Sequence, residues 1–298
     1  MRILLTGSSG QVGRELLRAL APFGEISAPA RDNLDLASPD AIVRAVREAA
    51  PDLIVNAAAY TAVDRAETEA GLAMQVNGRA PGILAEEAAR RGAALIHYST
   101  DYVFDGTKAG PYTEDDVPAP LNAYGRSKLA GDRAAMQANP AHLIFRTSWV
   151  YAPHGKNFLL TMLRLSRERS ELRVVDDQRG APTTAALIAD CTARVLQRIT
   201  VDGGLARLRE FAGLYNLTAA GETSWHGFAS AILRATGSPV PVLPIPTDAW
   251  PTPAKRPRNS VLDTSKLART FGVVPAHWQT GLEQCLDVLA RQGDQARL

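Results

Sequence analysis

A glycine-rich turn near the N-terminus constrains the fold of this chain more than any other feature. The apolar run at residues 3–5 leads into Gly7, Gly10 and Gly13. Apolar residues then recur at helical spacing, at Val12, Leu16, Leu17 and Leu20. In such a strand, turn and helix, backbone N–H groups can approach a pyrophosphate without an intervening Cβ. The G-x-x-G-x-x-G spacing alone would fit any glycine-rich turn, but its position after the first strand favours dinucleotide binding.

Strands and helices alternate along the first half of the chain, which is the pattern of a parallel sheet covered on both faces. Further strands are predicted at residues 25–28, 53–56, 94–99 and 142–147, and helices at 63–77 and 80–91 and after Ser38 and Pro39. We therefore expect an α/β fold, a doubly wound parallel Rossmann sheet with a smaller, mixed α/β C-terminal domain. Residues 1–150 form the first domain and 151–298 mainly the second, with about 184–217 returning to the first.

Charge and cysteine content exclude several classes of protein. The net charge of +2 comes from 33 basic and 31 acidic residues, which are scattered, so no nucleic-acid-binding stripe is predicted. Cys191 and Cys285 lie far apart and fit reduced thiols in a cytosolic protein. No apolar run is long enough for a signal peptide or a membrane span. We expect a soluble, cytoplasmic protein without nucleic-acid or membrane partners.

Two short stretches carry residue types suited to proton transfer. Thr100 and Asp101 follow a predicted buried strand, and the carboxyl ends of parallel strands form the ligand crevice. Tyr124 and Lys128 are four residues apart on a predicted helix, so the ammonium can lower the pKa of the phenol. Taken singly, a capping Thr, a turn-forming Asp and a solvated helix face explain them as well. Together with the glycine turn, they predict a site that protonates a carbonyl oxygen.

The segment after the second predicted strand bears on the choice of dinucleotide. Where an NAD-binding protein often places an acid for the ribose hydroxyls, this chain has Arg31. Arg31 is suited to a 2′-phosphate, which favours NADPH, although a solvated loop arginine is the alternative. Asp32 or Asp35 leaves NADH open.

The chain resembles the extended short-chain dehydrogenase/reductases, and within them the dTDP-4-dehydrorhamnose reductase family. The resemblance covers nearly the whole chain and rests on blocks at residues 10–13, 56–67, 99–106, 120–129, 146–151, 177–183 and 256–260. It implies NADPH-dependent reduction of the C4 ketone of dTDP-4-dehydro-β-L-rhamnose to dTDP-β-L-rhamnose, a step in the biosynthesis of bacterial surface polysaccharides.

The resemblance also implies the site residues. Tyr124 would be the catalytic acid, Lys128 would hold the nicotinamide ribose, and Thr100 would hydrogen-bond the reacting oxygen. With Tyr124 and Lys128, the cofactor-binding residues would be Gly7, Gly10, Gln11, Val12, Gly13, Arg31, Asp35, Leu36, Ala59, Tyr60, Thr61 and Tyr98. The substrate-binding residues would be Thr100, Asp101, Trp149, Asn157, Thr183 and Arg256.

Metal use and assembly are less constrained. Some family members bind Mg²⁺ through acidic residues at a dimer interface. Glu15 matches one of those ligands, but Ala186 stands where another Glu is expected, and a hard cation needs several oxygen ligands. The five histidines show no ligand spacing and are interpreted as structural. We therefore assign no metal ligands and expect a monomer or a homodimer.

Two other functions remain open at this stage. A nucleotide-sugar epimerase or dehydratase of the same superfamily would hold NAD⁺ tightly and regenerate it in each cycle. A non-catalytic regulatory subunit would resemble the β subunit of methionine adenosyltransferase, bind a partner enzyme and turn over no ketosugar.

Overall fold

The computed structural model describes residues 1–201 and 203–295. Its first half alternates strands and helices: β1 (Arg2–Thr6), α1 (Gln11–Leu20), β2 (Glu25–Ser27), α2 (Pro39–Ala49), β3 (Leu53–Asn56), α3 (Ala70–Ala73), α4 (Ala80–Arg90), β4 (Ala94–Thr100), α5 (Ala123–Ala138) and β5 (His142–Thr147). The second half has shorter strands: β6 (Val150–Tyr151), α6 (Phe158–Glu168), β7 (Leu172–Val175), β8 (Arg179–Gly180), β9 (Thr183–Thr184), α7 (Ala185–Thr200), β10 (Gly213–Asn216), β11 (Thr223–Ser224), α8 (Trp225–Ala235), β12 (Val242–Ile245), α9 (Ser265–Phe271) and α10 (Trp278–Gln295).

Six parallel strands form the central sheet, in the order β10-β5-β4-β3-β1-β2. The chain starts inside the sheet, runs outward from β1 to β2, and then returns to build the other side from β3. The order therefore reverses between β1 and β3, and a ligand crevice opens at the carboxyl ends of strands on either side of such a point. The predicted doubly wound α/β fold is confirmed.

Both faces of the sheet are covered, which explains the continuous apolar runs of its strands. Because successive residues of a strand point to opposite faces, Ile3 and Leu5 pack with α1 and α7, whereas Leu4 packs with α2 and α4. A third core in the second half of the chain brings together Tyr151, Leu159, Phe228, Ile232 and Trp278.

The segment predicted as one helix over residues 63–77 is broken in the structure. It contains a 3₁₀ turn at Arg65–Glu67, the short α3, and a π-helical stretch at Met74–Arg79 that runs into α4. Pro81 has no N–H to donate to the carbonyl of Asn77, so a regular α-helix cannot continue through this point. The Asn77 side chain instead exchanges hydrogen bonds with the Tyr60 backbone, at 2.8 and 3.0 Å. The single-helix prediction was therefore wrong.

The second half of the chain contributes to the central sheet as well as to its own core. Strand β10 pairs with β5, and α7 packs against α1. Small two-stranded pairs link β7 with β12, β6 with β9 and β8 with β11. The division into residues 1–150 and 151–298 stays a prediction, and residues 202 and 296–298 of the second part lie outside the described residues. Among the described helices, none is long and apolar enough to cross a membrane.

Candidate active site

A cleft of about 590 Å³ lies at the carboxyl ends of the central strands, where the strand order reverses. Its walls include most of the residues predicted from the sequence, namely Gly7, Gly10, Gln11, Val12, Arg31, Asp35, Leu36, Ala59, Tyr60, Thr61, Tyr98, Thr100, Asp101, Tyr124, Lys128 and Trp149. The volume is within the range of cofactor and ligand sites, roughly 300–1,000 Å³.

The glycine turn forms one wall of the cleft and is built from backbone. Gly7 has a φ of +71°, and its carbonyl oxygen accepts a hydrogen bond from the Gly10 N–H at 2.9 Å. Gly10 precedes α1 and offers no side-chain cap, so N–H groups of the first turn of α1 are left for a ligand. Gly13 does not line the cleft. A Cβ there would lie 2.0 Å from the Gly7 carbonyl oxygen, so Gly13 permits close packing rather than touching a ligand.

Small residues continue this wall from the end of β3. Ala57, Ala58 and Ala59 line the cleft, and a Cβ on Gly7 would lie 2.6 Å from the Ala58 backbone nitrogen. At the far end, the exposed Arg31 shares the cleft with Asp35, whose carboxylate accepts a hydrogen bond from the Ala37 N–H. This wall is shaped for a flat, anionic ligand, with a cation at one end.

The predicted proton-transfer residues meet at the end of β4 and the start of α5. Asn122 caps α5 by accepting a hydrogen bond from the Gly125 N–H at 2.8 Å. Gly125 in turn lies against Tyr102, because a Cβ there would be 2.1 Å from the Tyr102 carbonyl oxygen. This packing places Tyr124 in the cleft together with Thr100, whose hydroxyl donates to Asp101 Oδ1 at 3.0 Å.

The electrostatics of these residues differ from the expectation. Burial raises the pKa of Tyr124, against the lowering effect of its hydrogen bond with Thr100. Burial lowers the pKa of Lys128 to about 8, while the Asp132 carboxylate favours its charged form. In the protein alone desolvation therefore dominates the pKa of Tyr124, and a lowering contribution from Lys128 stays a prediction. Burial also raises the pKa of Asp101 to about 6, against hydrogen bonds from Ser260 and Thr100.

Trp149 forms part of the opposite wall in a strained backbone conformation. Its φ of +49° is left-handed, which is uncommon for a bulky residue. Its indole stacks on Trp225, with ring centroids 3.6 Å apart and planes 6° apart. Gly180 lies on another side, where a Cβ would be 2.5 Å from Trp149 Cε2. Trp149 is thus a fixed aromatic surface facing the cleft.

Three predicted substrate-binding residues do not line the cleft. Asn157 caps α6, and its Nδ2 donates to Gln11 Oε1 at 2.8 Å. Thr183 is fully buried and donates to the Ala181 carbonyl at 2.8 Å. Arg256 pairs with Asp64 at 2.8 Å. The amide and hydroxyl groups of the first two are used within the protein, which does not support the predicted diphosphate contacts.

The sequence reasoning missed several residues of the site. Ser8, Ser9, Tyr102, Ser148 and Lys156 line the cleft without having been predicted. His97, interpreted as structural, has its Nε2 3.2 Å from Lys128 Nζ, and Asp132 lies one helical turn beyond Lys128. The i, i+4, i+8 spacing of Tyr124, Lys128 and Asp132 was a signal that could have found the last of these.

Within the described part of the chain, no group of three or more His, Cys, Asp or Glu side chains is placed to hold a metal ion. Glu15, which the sequence analysis matched to a Mg²⁺ ligand of some family members, has its Oε1 3.3 Å from His154 Nε2.

Comparison with known proteins agrees with this geometry. A sequence model for the RmlD substrate binding domain matches residues 1–291. A dTDP-4-dehydrorhamnose reductase from Burkholderia thailandensis is 49% identical over 98% of this chain and 100% of its own length.

Two solved structures are similar over nearly the whole chain. A dTDP-4-dehydrorhamnose reductase from Clostridium acetobutylicum has a TM-score of 0.91 and 37% identity, covering 97% of this chain and 100% of its own. One from Bacillus anthracis, in complex with NADP, has a TM-score of 0.88 and 34% identity, covering 96% and 98%. The resemblance inferred from the sequence is confirmed, and the chain belongs to the dTDP-4-dehydrorhamnose reductase family.

Proposed function

We propose that this protein uses NADPH to reduce the C4 ketone of dTDP-4-dehydro-β-L-rhamnose to dTDP-β-L-rhamnose. The observation that carries the proposal is the meeting of Thr100, Tyr124 and Lys128 in one cleft with the glycine turn, in a chain of this family. The NADP-bound relative supports the choice of cofactor. The individual residue roles are part of the proposal.

The wall formed by the glycine turn and residues 57–59, with Arg31 at its end, is called the cofactor wall below. It fits a dinucleotide that carries a 2′-phosphate. The N–H groups at the start of α1 face the cleft beside Gly10, where they can bind a pyrophosphate. Arg31 supplies a cation for a 2′-phosphate, whereas Asp35 would instead suit the free hydroxyls of NADH. When bound, NADPH supplies a hydride.

Tyr124 acts as the acid. The ketone carbon accepts the hydride while its oxygen takes the phenolic proton, so the product is a secondary alcohol and Tyr124 is left as phenolate. The raised pKa keeps Tyr124 protonated until negative charge develops on the oxygen. Thr100, whose hydroxyl donates to Asp101 Oδ1 at 3.0 Å in the free protein, would turn its proton to the same oxygen, and the Lys128 ammonium stabilises the phenolate as it forms.

The sugar would lie between this group and Trp149. The aromatic face of Trp149 suits the apolar face of a sugar ring, and the buried carboxylate of Asp101 can accept a hydrogen bond from a sugar hydroxyl. A role for Arg256 at the diphosphate requires it to leave Asp64. A monomer or homodimer, and a cytoplasmic location, stay predictions.

Mixing the purified protein with dTDP-4-dehydro-β-L-rhamnose and either NADPH or NADH tests the proposal. We expect one NADPH oxidised for each product formed, followed by absorbance and chromatography, with slower use of NADH. Bound NAD⁺ with no consumption of added NADPH would instead indicate an epimerase or dehydratase. Binding of NADP without turnover of any 4-ketosugar nucleotide would indicate a regulatory subunit.

A further inference from the structure

A cluster of buried ionisable side chains lies behind Lys128, and the mechanism above leaves most of it unused. His97, Lys128, Asp132 and Arg146 are each at most 2% exposed. Burying charged groups is costly unless they are paired, and perturbed groups of this kind concentrate at functional sites. The cluster combines two cations, one carboxylate and one imidazole, and it is continuous with the catalytic pair.

Lys128 is held from behind by two contacts. Its Nζ donates a hydrogen bond to the Tyr98 carbonyl oxygen at 2.6 Å and lies 3.2 Å from His97 Nε2. Two of the three donors of an ammonium are thereby directed to protein groups, and one is left for the ligand. The position of Nζ relative to Tyr124 therefore depends on His97.

The other side of the His97 ring contacts an amide. His97 Nδ1 lies 3.0 Å from Asn56 Nδ2, and Asn56 Oδ1 accepts a hydrogen bond from Thr6 Oγ1 at 2.6 Å. With the amide nitrogen toward the ring, Nδ1 accepts and Nε2 carries the proton, which suits a neutral amine at Lys128. With the amide turned over, its oxygen faces Nδ1–H and Nε2 is free to accept a hydrogen bond from an ammonium.

Electrostatics keep the imidazole neutral. Burial holds the pKa of His97 well below its usual value, and the positive charge of Lys128 lowers it further. The charged groups beside this pair are Asp132 on α5, whose Oδ1 lies 3.8 Å from His97 Nε2, and Arg146 on β5, whose Nε lies 3.8 Å from Asp132 Oδ2. On β1 and β3, Thr6 and Asn56 do not titrate.

We propose that His97 is a positioning residue for Lys128, and that the tautomer of its ring follows the charge of the Lys128 side chain. The ammonium requires Nε2 as acceptor, the ring proton on Nδ1, and the Asn56 oxygen turned toward the ring. When Lys128 loses its proton, Nε2 carries the ring proton, Nδ1 becomes the acceptor, and the Asn56 amide nitrogen faces the ring. The catalytic part of this inference rests on the proposed function, whereas the tautomer does not.

Two substitutions distinguish the contact of His97 Nε2 with Lys128 from the contact of Nδ1 with Asn56. In His97→Gln, the side-chain amide reaches the position of Nε2 and can still accept from Lys128. In His97→Asn, it reaches only the position of Nδ1, so the contact with Asn56 remains and the contact with Lys128 is lost. We expect H97N to lower kcat/KM about 10- to 100-fold, as misplaced catalytic groups do. The loss in H97Q is several-fold smaller.

The pH profile distinguishes positioning from structural support. In H97N the Lys128 ammonium keeps the Tyr98 carbonyl but loses the acceptor at His97, so it gives up its proton more easily and the alkaline limb of kcat/KM moves to lower pH. NADPH also binds more weakly to H97N than to H97Q. His142 is a matched control, a buried histidine at the start of β5 whose Nδ1 contacts the Asn139 carbonyl at 2.6 Å. H142Q should leave the pH profile unchanged.

Nitrogen-15 NMR of the histidine rings tests the tautomer in the unmutated protein, and so does not depend on whether the variants fold. At about pH 6.5, where Lys128 is charged, we expect the Nδ1–H tautomer for His97. An Nε2–H tautomer at that pH would overturn the proposal. Equal losses in H97N and H97Q with unshifted profiles would also overturn it, whereas an inactive wild-type protein would contradict the proposed function instead.

Discussion

The two walls of the cleft are built in different ways. The cofactor wall consists of main chain and small side chains at the ends of β1 and β3, such as Gly7, Gly10 and Ala58. The opposite wall, proposed to hold the sugar and called the sugar wall below, depends on large side chains from distant segments, with Trp149 stacked on Trp225. A wall built of backbone comes from residues that are close in sequence, so a short motif such as the glycine turn predicts it. A wall of stacked side chains exists only after the chain has folded.

The largest effect is expected at Tyr124, the proposed proton donor. Tyr124→Phe removes the proton donor and should lower kcat about 10²- to 10⁴-fold. The affinity for NADPH, measured by fluorescence titration, should change little because the ring remains. Tyr215→Phe is the control, since its hydroxyl donates to the Phe211 carbonyl away from the cleft. Turnover of Y124F close to wild type would exclude Tyr124 as the acid.

A change confined to the cofactor wall should come next. The Cβ of Gly13→Ala would lie 2.0 Å from the Gly7 carbonyl oxygen, which forces the glycine turn to move. Overpacking costs about 1–3 kcal/mol, so we expect NADPH to bind roughly 5- to 150-fold more weakly. Gly71→Ala is the control, because a Cβ at Gly71 meets no atom within 4 Å. Wild-type NADPH affinity in G13A would show that the turn tolerates displacement.

The matching change on the sugar wall is Gly180→Ala, whose Cβ would press on the indole of Trp149. Displacing a stacked aromatic pair costs about 0.5–1.5 kcal/mol, so KM for the sugar nucleotide should rise up to about tenfold. NADPH affinity should stay at the wild-type value. If G13A and G180A each weakened both ligands equally, the separation of the walls would not hold.

The smallest effect is expected at Arg31, an exposed side chain at the end of the cofactor wall. Arg31→Gln removes the cation for the 2′-phosphate and should reduce the preference for NADPH over NADH about fivefold, since an exposed ion pair contributes at most about 1 kcal/mol. The ratio of kcat/KM for the two dinucleotides measures this. Arg44→Gln, on the exposed face of α2, should leave the ratio unchanged. An unchanged ratio in R31Q would show that Arg31 does not determine the preference for NADPH over NADH. Asp35 would then be the next residue to substitute.

The same contrast explains what could be predicted from the sequence. The strand, glycine turn and helix at the N-terminus, and the pair Tyr124 and Lys128, are encoded by short-range spacing, and the structure brings them together. Trp225 could not be assigned, because its role comes from a contact with a residue 76 positions earlier. The π-helical stretch was missed because the effect of Pro81 falls on the carbonyl of Asn77, one turn before it.

Some substrate-binding roles were assigned only from the family resemblance, and the structure does not support the predicted contacts for two of these residues. Asn157 and Thr183 stand in matching motifs, but the structure uses their polar groups to cap α6 and to bond Ala181. His97 was interpreted as structural because the histidines show no metal-ligand spacing. The fold places it 3.2 Å from Lys128 Nζ, a contact between residues 31 positions apart that the spacing did not indicate, and a role beyond structure stays a proposal.

The central claim, a net hydride transfer to the sugar, is tested most directly by isotope labelling. NADPH carrying deuterium at the transferable position of the dihydronicotinamide is mixed with the protein and dTDP-4-dehydro-β-L-rhamnose, and the product is analysed by mass spectrometry and NMR. We predict dTDP-β-L-rhamnose with one deuterium at C4. An isomerised or dehydrated sugar nucleotide without deuterium, formed while the labelled NADPH remains, would contradict the account.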